Sequence, residues 1–356
     1  MSAKEMSGWL VQGGTIETIA ISRGPFRAQL LNLGATLRAL EAPDRNGDSA
    51  NVTLGYRDLE EYRGHPRFYG AVAGRYANRI GGARFALDGR TYTLPKNNGE
   101  NNLHSGPLGL DQVFWDVSHQ TDHSVTYSTL SPAGTNGFPG NLHVDVAYVL
   151  EEDGLAITFT ATTDAATVVN LTHHAYFNLA GEASASTVLD HWLQIPASRT
   201  TPTDPTMVPT GVFADVAGTP FDFRTPKPIG RDIGSQDVQL LQGKGYDHNF
   251  VLDTPPGRIR RVATAFDSVS GRVLEVHSDQ PGVQLYTGNH LAGGAAGTSG
   301  ANYPSRGGFC LEPQNFPDAP NKPQFPSARL DPGQKYTHAM AFRFRTAADQ
   351  GEAFPA

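Results

Sequence analysis

The pattern of apolar and polar positions along the chain is typical of many short strands. From Leu155 to Asp164 apolar residues alternate with threonines at a period of two, which indicates a half-buried strand. The run from His143 to Leu150 is predicted to pair with it around Asp153-Gly154. Another hairpin is predicted from Ala83 to Leu94, with Asp88-Gly89 at its tip.

The N-terminal part of the chain has the same character. Ala28 to Leu40 is apolar and leads to DRNGD at 44–48, whose Asn-Gly pair supplies the positive φ angles of a tight hairpin. NVTLGY at 51–56 then returns as the partner strand. Only LEEYR at 59–63 indicates a helical turn.

Turn residues separate these runs throughout. There are 39 glycines and 25 prolines among 356 residues, and no long helical pattern, which predicts an all-β fold. Length alone would favour about two domains, but all-β folds of this size often form one unit. We expect a single domain over residues 1–356, with residues 349–356 as a loose tail.

Composition and charge exclude some classes of protein. The net charge of −7 and the absence of basic runs disfavour nucleic-acid binding. No apolar run approaches the roughly 20 residues that cross a bilayer. Met1 to Met6 carries a charge pair where a secretory signal would be apolar, and the single Cys310 cannot form an intrachain disulfide. We expect a soluble cytoplasmic protein, although a periplasmic protein without disulfides would also fit.

Familiar local motifs for nucleotide binding, esterase chemistry and zinc binding are absent from the sequence. The candidate chemistry lies instead on segments that resemble strands. In TVVNLTHHAYFNL at 167–179, strand alternation puts polar residues and Tyr176 on one face with His174, and apolar residues on the other face with His173. We predict that His174 lines a site and that His173 packs behind it. The alternative for either histidine is a hydrogen-bonded residue of the core.

Two further segments have polar residues on one face. In GVQLYTGNH at 282–290, Gln284 and Tyr286 share a face, and amide and aromatic side chains together suit a sugar. In GGFCLEPQ at 307–314, Glu312 stands among apolar residues, where burial would raise its pKa towards that of a general base. A half-exposed strand and a buried ion pair are the respective structural alternatives. Cys310 is expected to be a small core residue, because nothing near it in sequence would lower its pKa.

The glycine-rich segment GGAAGTSGANYPSRGG at 293–308 contains too many small residues to pack a core. It is interpreted as either a mobile loop over a pocket or an ordinary surface connection.

Several segments in fixed order resemble one known family: GRYANRI (74–80), NNLHSG (101–106), VNLTHHAYFNLAG (169–181), YDHNF (246–250), QPGVQLYTGN (280–289) and GFCLEPQNFPDAPN (308–321). Together they resemble the aldose 1-epimerases, the galactose mutarotases, over nearly the whole chain. The resemblance implies a large antiparallel β-sandwich with very little helix. It also implies interconversion of the α and β anomers of free aldohexoses such as galactose and glucose. The family often has Asn at the position of His173, a change that should not affect the chemistry if His173 faces away from the sugar.

Carried over residue by residue, the resemblance makes Glu312 the catalytic base and His174 the acid. It assigns substrate binding to Arg79, His104, Asp247, Asn78, Gln284 and Tyr286. A raised pKa of Glu312 and a pKa of His174 near 6.5 would let both act near neutral pH. The implied partner is a free monosaccharide. No metal or organic cofactor, nucleic acid or membrane is implied, and the expected assembly is a monomer or homodimer.

Three alternatives stay open at this point. A glycosidase would need a second carboxylate, for which Asp247 is the candidate. A sugar-binding or sugar-sensing protein could keep the fold without turnover. A relative acting on sugar phosphates would gather additional Arg or Lys at the site.

Overall fold

Short strands make up most of the regular secondary structure of the described residues. The computed structural model describes residues 14–64, 67–184 and 186–355; the Met1 to Met6 segment lies outside them. The first strands are β1 Thr18–Arg23, β2 Phe26–Leu31, β3 Thr36–Pro43, β4 Ser49–Asn51, β5 Val72–Ala73, β6 Arg79–Ile80, β7 Arg84–Leu87, β8 Arg90–Thr93, β9 Asn102–Leu103, β10 Asp116–Gln120, β11 Ser124–Ser131, β12 Leu142–Glu151 and β13 Gly154–Thr163. The others are β14 Thr167–Val168, β15 Thr172–His173, β16 Tyr176–Phe177, β17 Trp192–Gln194, β18 Arg199–Thr200, β19 Ala214–Asp215, β20 Lys227–Pro228, β21 Asp247–Val251, β22 Arg260–Phe266, β23 Arg272–Ser278, β24 Gly282–Tyr286, β25 Phe309–Gln314, β26 Arg329–Leu330 and β27 Tyr336–Thr346.

The α-helices among the described residues are short. They are α1 Val238–Gly243 and α2 Gln350–Ala353, and single 3-10 turns lie at Leu59–Tyr62, Gly81–Ala83, Leu110–Gln112, Thr135–Gly137, Glu182–Ser184 and Ala319–Asn321. None of the helices in this part of the chain has the length and apolar character of a bilayer-spanning helix. The prediction of an all-β fold with very little helix is confirmed.

Two large antiparallel sheets form the sandwich. One has nine strands in the order β10-β11-β12-β13-β27-β23-β22-β17-β20, and the other has six in the order β16-β25-β24-β21-β18-β19. Their inner faces share one apolar core, in which Phe177 of β16 meets Phe342 of β27 with ring centroids 4.8 Å apart. Each fully buried side chain of this size contributes about 1.5–3 kcal/mol. A four-stranded sheet, β1-β2-β3-β4, adds its apolar side chains to the same core.

The predicted hairpins are present. Strands β7 and β8 pair around Asp88-Gly89, and β12 pairs with β13 over their full length. The apolar run 28–40 is not one strand, however. It breaks into β2 and β3 at a turn in which Gly34 and Ala35 have φ angles of +67° and +45°. The turn at 44–48 then joins β3 to β4 as predicted, but the returning strand is Ser49–Asn51 and not the predicted 51–56.

The C-terminal segment is more ordered than the expected loose tail. Helix α2 begins after Asp349, whose carboxylate accepts a hydrogen bond from the backbone N–H of Glu352. Ala353 is fully buried, and the Arg345 guanidinium donates to its carbonyl at 2.7 Å. These contacts attach the segment to the end of β27, the central strand of the nine-stranded sheet.

Candidate active site

A cavity of about 460 Å³ lies on the outer face of the six-stranded sheet, the face directed away from the shared core. Its volume is typical of small-molecule sites. All the predicted site residues except Gln284 line it: Asn78, Arg79, His104, His174, Asp247, Tyr286 and Glu312.

The strand register brings the sheet residues of the site together. Glu312 of β25 lies opposite Gln284 of β24, and Tyr286 of β24 lies opposite Asp247 of β21. Because successive side chains of a strand face opposite sides, Leu311 enters the core while Glu312 faces the cavity. The faces predicted for the strands at 282–286 and 309–314 are therefore confirmed.

Of the remaining predicted side chains, Arg79 comes from the short strand β6 and the others come from loops. Asn78 and His104 have φ angles of +64° and +49°, a left-handed conformation that costs residues with side chains about 1–3 kcal/mol. The surrounding contacts hold both in place: the backbone N–H of Asn78 donates to Nδ1 of His104 at 3.1 Å. His104 therefore carries its proton on Nε2, which leaves an N–H donor for a ligand.

Glu312 and His174 form the centre of the site. Oε1 of Glu312 is 3.7 Å from Nε2 of His174, and both side chains are almost completely buried. The second carboxylate oxygen of Glu312 has no hydrogen-bond partner among the described residues. Such an oxygen is a free acceptor for a ligand proton.

Burial sets the protonation of this pair. It raises the pKa of Glu312 well above its ordinary value, and the charge of Asp247 raises it further. Burial lowers the pKa of His174 to about 4. The raised pKa of Glu312 agrees with the prediction. The expected pKa near 6.5 for His174 is wrong, because a buried imidazolium loses its hydration.

His173 points away from the cavity, as predicted. It is fully buried between the rings of Tyr148 and Phe342, with centroids 5.8 and 5.9 Å away. Neither ring nitrogen has a hydrogen-bond partner among the described residues. His173 is thus a packing residue of the core.

A polar network holds Arg79 and Asp247 against the cavity wall. The Arg79 guanidinium lies 3.6 Å from Asp247 and donates from Nε to the Asn98 side-chain oxygen at 2.9 Å. Gln284 donates from Nε2 to the Asp247 carboxylate at 2.7 Å. Gln284, predicted to bind substrate, does not itself line the cavity. It lies behind Asp247 and fixes the orientation of that carboxylate.

Cys310 lies beside the catalytic pair. Its Sγ is 3.5 Å from Nδ1 of His174, and burial raises the pKa of the thiol well above its ordinary value. It is therefore not an activated nucleophile. His174, Cys310 and Glu312 place possible metal ligands within 4.8 Å of one another. A metal held by this group would need a thiolate and a carboxylate, whereas burial raises the pKa of both Cys310 and Glu312.

Sequence reasoning missed several cavity residues, most of them in loops, with Leu103 in β9 and Gln242 and Gly243 in α1. Phe68 has a φ of +55° and covers both histidines, with ring centroids 4.6 Å from His104 and 5.7 Å from His174. No periodicity marks such a position. The others are Arg67, Asn98, Leu103, Met207, Gln242, Gly243, His290 and Leu291. Tyr176, noted beside His174, also lines the cavity.

The glycine-rich segment 293–308 does not line this cavity. It is fastened by Tyr303, whose hydroxyl lies 2.8 Å from the Gly55 carbonyl and 2.6 Å from the Glu182 carboxylate, each an acceptor for its proton. Tyr303 is part of a core cluster, so the expectation that the segment packs no core is wrong. The segment is therefore an ordered connection, held against Gly55 and Glu182 by the Tyr303 hydroxyl.

Comparison with known proteins places this arrangement in a family. A family model described as aldose 1-epimerase matches residues 17–343. The chain is 44% identical to galactose mutarotase of Homo sapiens over 335 residues, covering 94% of this chain and 96% of that protein. It is 39% identical to aldose 1-epimerase of Escherichia coli over 319 residues, covering 88% and 91%.

A solved structure is also similar. The crystal structure of an aldose epimerase homologue from C. elegans matches with a TM-score of 0.86 at 31% identity, covering 94% of this chain and 100% of that one. By sequence and by fold, this chain belongs to the aldose 1-epimerase family.

Proposed function

We propose that the protein interconverts the α and β anomers of free aldohexoses such as galactose and glucose, with Glu312 as base and His174 as acid. The observation that carries this proposal is the pairing of these two buried groups, 3.7 Å apart, on the wall of one cavity. The names of the relatives, galactose mutarotase and aldose 1-epimerase, support the same reaction.

Ring opening requires two proton transfers. The Glu312 carboxylate takes the proton from the hydroxyl on C1, and a C1=O double bond forms as the C1–O5 bond breaks. The electron pair moves to O5, which receives a proton from the His174 imidazolium. Each positioned acid or base contributes about 10²–10⁴ in rate.

The open-chain sugar then rotates about C1–C2 and closes on the opposite face of the aldehyde. Glu312 returns its proton to the oxygen on C1 as O5 attacks, and His174 takes the proton back from O5. No atom is gained or lost, so the products are the two anomers of one sugar.

The pair needs only one proton throughout this cycle. In the form that reacts with a closed sugar that proton is on His174, and in the open-chain state the pair is uncharged, with the proton on Glu312. Burial favours the uncharged arrangement, since it raises the pKa of Glu312 and lowers that of His174. The site therefore stabilises the ring-opened state more than aqueous solution does.

The surrounding donors bind the sugar hydroxyls. We propose that Arg79, Asn78 and the Nε2–H of His104 donate to sugar oxygens, that Asp247 accepts from hydroxyls, and that Tyr286 contacts the ring. Donors near the ring oxygen also stabilise the charge that develops there. In this proposal Gln284 acts through its hydrogen bond to Asp247.

For the molecule as a whole, we propose one cytoplasmic domain that acts as a monomer or homodimer, without nucleic acid or a membrane. The support is one core cluster that includes residues from Ile21 to Phe344, together with a sequence pI of about 5.9. Size-exclusion chromatography with light scattering tests the assembly, and a higher oligomer would contradict it.

Polarimetry tests the reaction. Freshly dissolved α-D-galactose and α-D-glucose should approach their unchanged final rotations faster with the protein than without it. Tight sugar binding with an unchanged rate would favour a sugar-sensing protein. Release of nitrophenol from nitrophenyl galactoside would favour a glycosidase.

A further inference from the structure

The mouth of the cavity carries a positively charged side chain, and the neutral sugars named above have no negative charge that could pair with it. Arg67 lines the cavity. Its guanidinium donates to the Ala292 carbonyl at 3.2 Å, and no ion pair joins it to another described residue. A guanidinium in that position keeps donors free for a planar or tetrahedral anion.

The anionic groups inside the cavity do not balance this charge. Asp247 is held by Arg79 at 3.6 Å and by Gln284 at 2.7 Å. Glu312 is buried beside His174, and its raised pKa favours the uncharged acid. The cationic side chains therefore outweigh the ionised carboxylates along the cavity wall.

The positive charge extends along the same side of the mouth. Burial lowers the pKa of His290, and the neighbouring charges of Lys244 and Arg67 lower it further, against the opposing effect of Asp247. Arg306 donates to the Lys244 carbonyl at 3.1 Å, so another guanidinium lies on this side. His290 itself lines the cavity.

This cationic side stands away from the catalytic pair. Arg67 is only half-buried at the mouth, where its guanidinium contacts the Ala292 carbonyl, whereas Glu312 and His174 are almost completely buried at the floor of the cavity. A sugar whose C1 lies at Glu312 and His174 would thus direct its far end towards Arg67.

We propose that the cavity accepts aldoses that bear an acidic group, a carboxylate or a phosphate, at the end remote from C1, and that Arg67 binds that group. The inference rests on the proposed function, because it assumes that C1 lies at the catalytic pair. Hexuronic acids and hexose 6-phosphates are the two sources of such a group. Both are anionic at neutral pH, since a carboxyl group ordinarily titrates near 4.

Anomer exchange measured by NMR saturation transfer compares three sugars at equilibrium: galactose, galacturonate and galactose 6-phosphate. We expect the wild-type protein to accelerate exchange for at least one acidic sugar. Raising the salt concentration should slow that exchange more than the exchange of galactose, because exposed charges are screened.

Substitution of Arg67 tests its role more directly, through the ratio of the rate constants for the acidic sugar and for galactose. In Arg67→Gln, the rate constant for the acidic sugar relative to galactose should fall about five- to tenfold, as expected for loss of one partly exposed charge pair. Arg67→Lys should retain most of the ratio. Arg258→Gln is the matched control, since Arg258 is exposed and does not line the cavity.

The outcomes separate the two claims. Exchange of galactose but of neither acidic sugar would overturn the inference and leave the proposed function intact. An unchanged ratio in Arg67→Gln would also overturn the inference. Failure with all three sugars would overturn the proposed function and, with it, the inference.

Discussion

His173 and His174 are neighbours in the chain but have different surroundings. His174 faces Glu312 and the cavity, whereas His173 packs between aromatic rings and has no hydrogen-bond partner among the described residues. One residue of displacement along an extended segment is enough to exchange the two faces. The catalytic role therefore depends on the local backbone conformation as much as on residue type.

Substituting each histidine by asparagine in a separate variant tests this distinction. His174→Asn should lower the rate of galactose mutarotation about 10²-fold or more, because it removes the acid. His173→Asn should keep most of the activity and lose about 1–3 kcal/mol of stability, because it shortens a core side chain. Polarimetry and urea unfolding measure the two quantities, and equal loss of activity in both variants would contradict the assignment.

The pH dependence of the rate follows from the buried pair. Glu312 and His174 share one proton, and the pair loses its function as a base only when it binds a second proton. Burial holds the pKa of His174 near 4, so this happens only at low pH. The pair titrates as a unit. We expect the rate per folded molecule to stay level between pH 7 and pH 5.5, with circular dichroism used to count folded molecules. A decline with a midpoint near 6.5 would indicate a solvated histidine instead.

At the scale of elements, the sequence predicts continuous strands best. In β25 the alternation of Leu311 and Glu312 between core and cavity follows directly from the period of two. The segment 167–179 is less regular, because β14, β15 and β16 pair with three different partners, β26, β5 and β25. The polar residues predicted to share one face therefore have different surroundings. Thr172 donates to the Pro313 carbonyl, whereas His174 lines the cavity.

Loop contributions to the site carry no comparable signal. Arg67, Phe68 and Asn98 reach the cavity from loops, and their positions depend on how the described parts of the chain fold together. The resemblance to a family implied catalytic roles for Glu312 and His174 but pointed to none of these residues. Tertiary placement of loops is the part of the site that single-sequence reasoning could not reach.

The segment 293–308 gives a prediction at this scale. Tyr303→Phe removes the hydroxyl that lies between Gly55 and Glu182, and loss of a buried hydrogen bond costs about 1–3 kcal/mol. We expect lower stability in urea with nearly unchanged mutarotation, because the segment does not line the cavity. Tyr92→Phe, which changes a tyrosine in the separate β7–β8 hairpin, is the control. A large loss of kcat in Tyr303→Phe would indicate a lid.

Across the whole molecule, burial keeps several histidines neutral. Their pKa values are lowered to about 3 or 4, or well below the ordinary value, chiefly by loss of hydration: His104, His173, His174, His191, His248 and His338. The unfolded chain binds protons at these residues below about pH 6.5, whereas the folded protein does not. Asp111 and Glu312 act in the opposite direction, since burial raises their pKa values.

Stability should therefore fall as the pH is lowered from about 6.5 towards 4, because the histidines outnumber the opposing carboxyl groups. Urea unfolding at a series of pH values measures this effect directly. We expect the midpoint to decrease steadily over that range. A constant midpoint down to pH 4.5 would mean that these histidines are protonated or solvated in the folded protein.

The central claim is that Glu312 removes the proton from the hydroxyl on C1. Its most direct test is the initial rate at which α-D-galactose mutarotates with Glu312→Gln, compared with the wild-type protein by polarimetry. Glutamine keeps the size of the side chain but cannot accept that proton, so the catalysed rate should fall about 10²-fold or more while the unfolding midpoint is retained. A folded Glu312→Gln variant with near-wild-type rate would contradict the account.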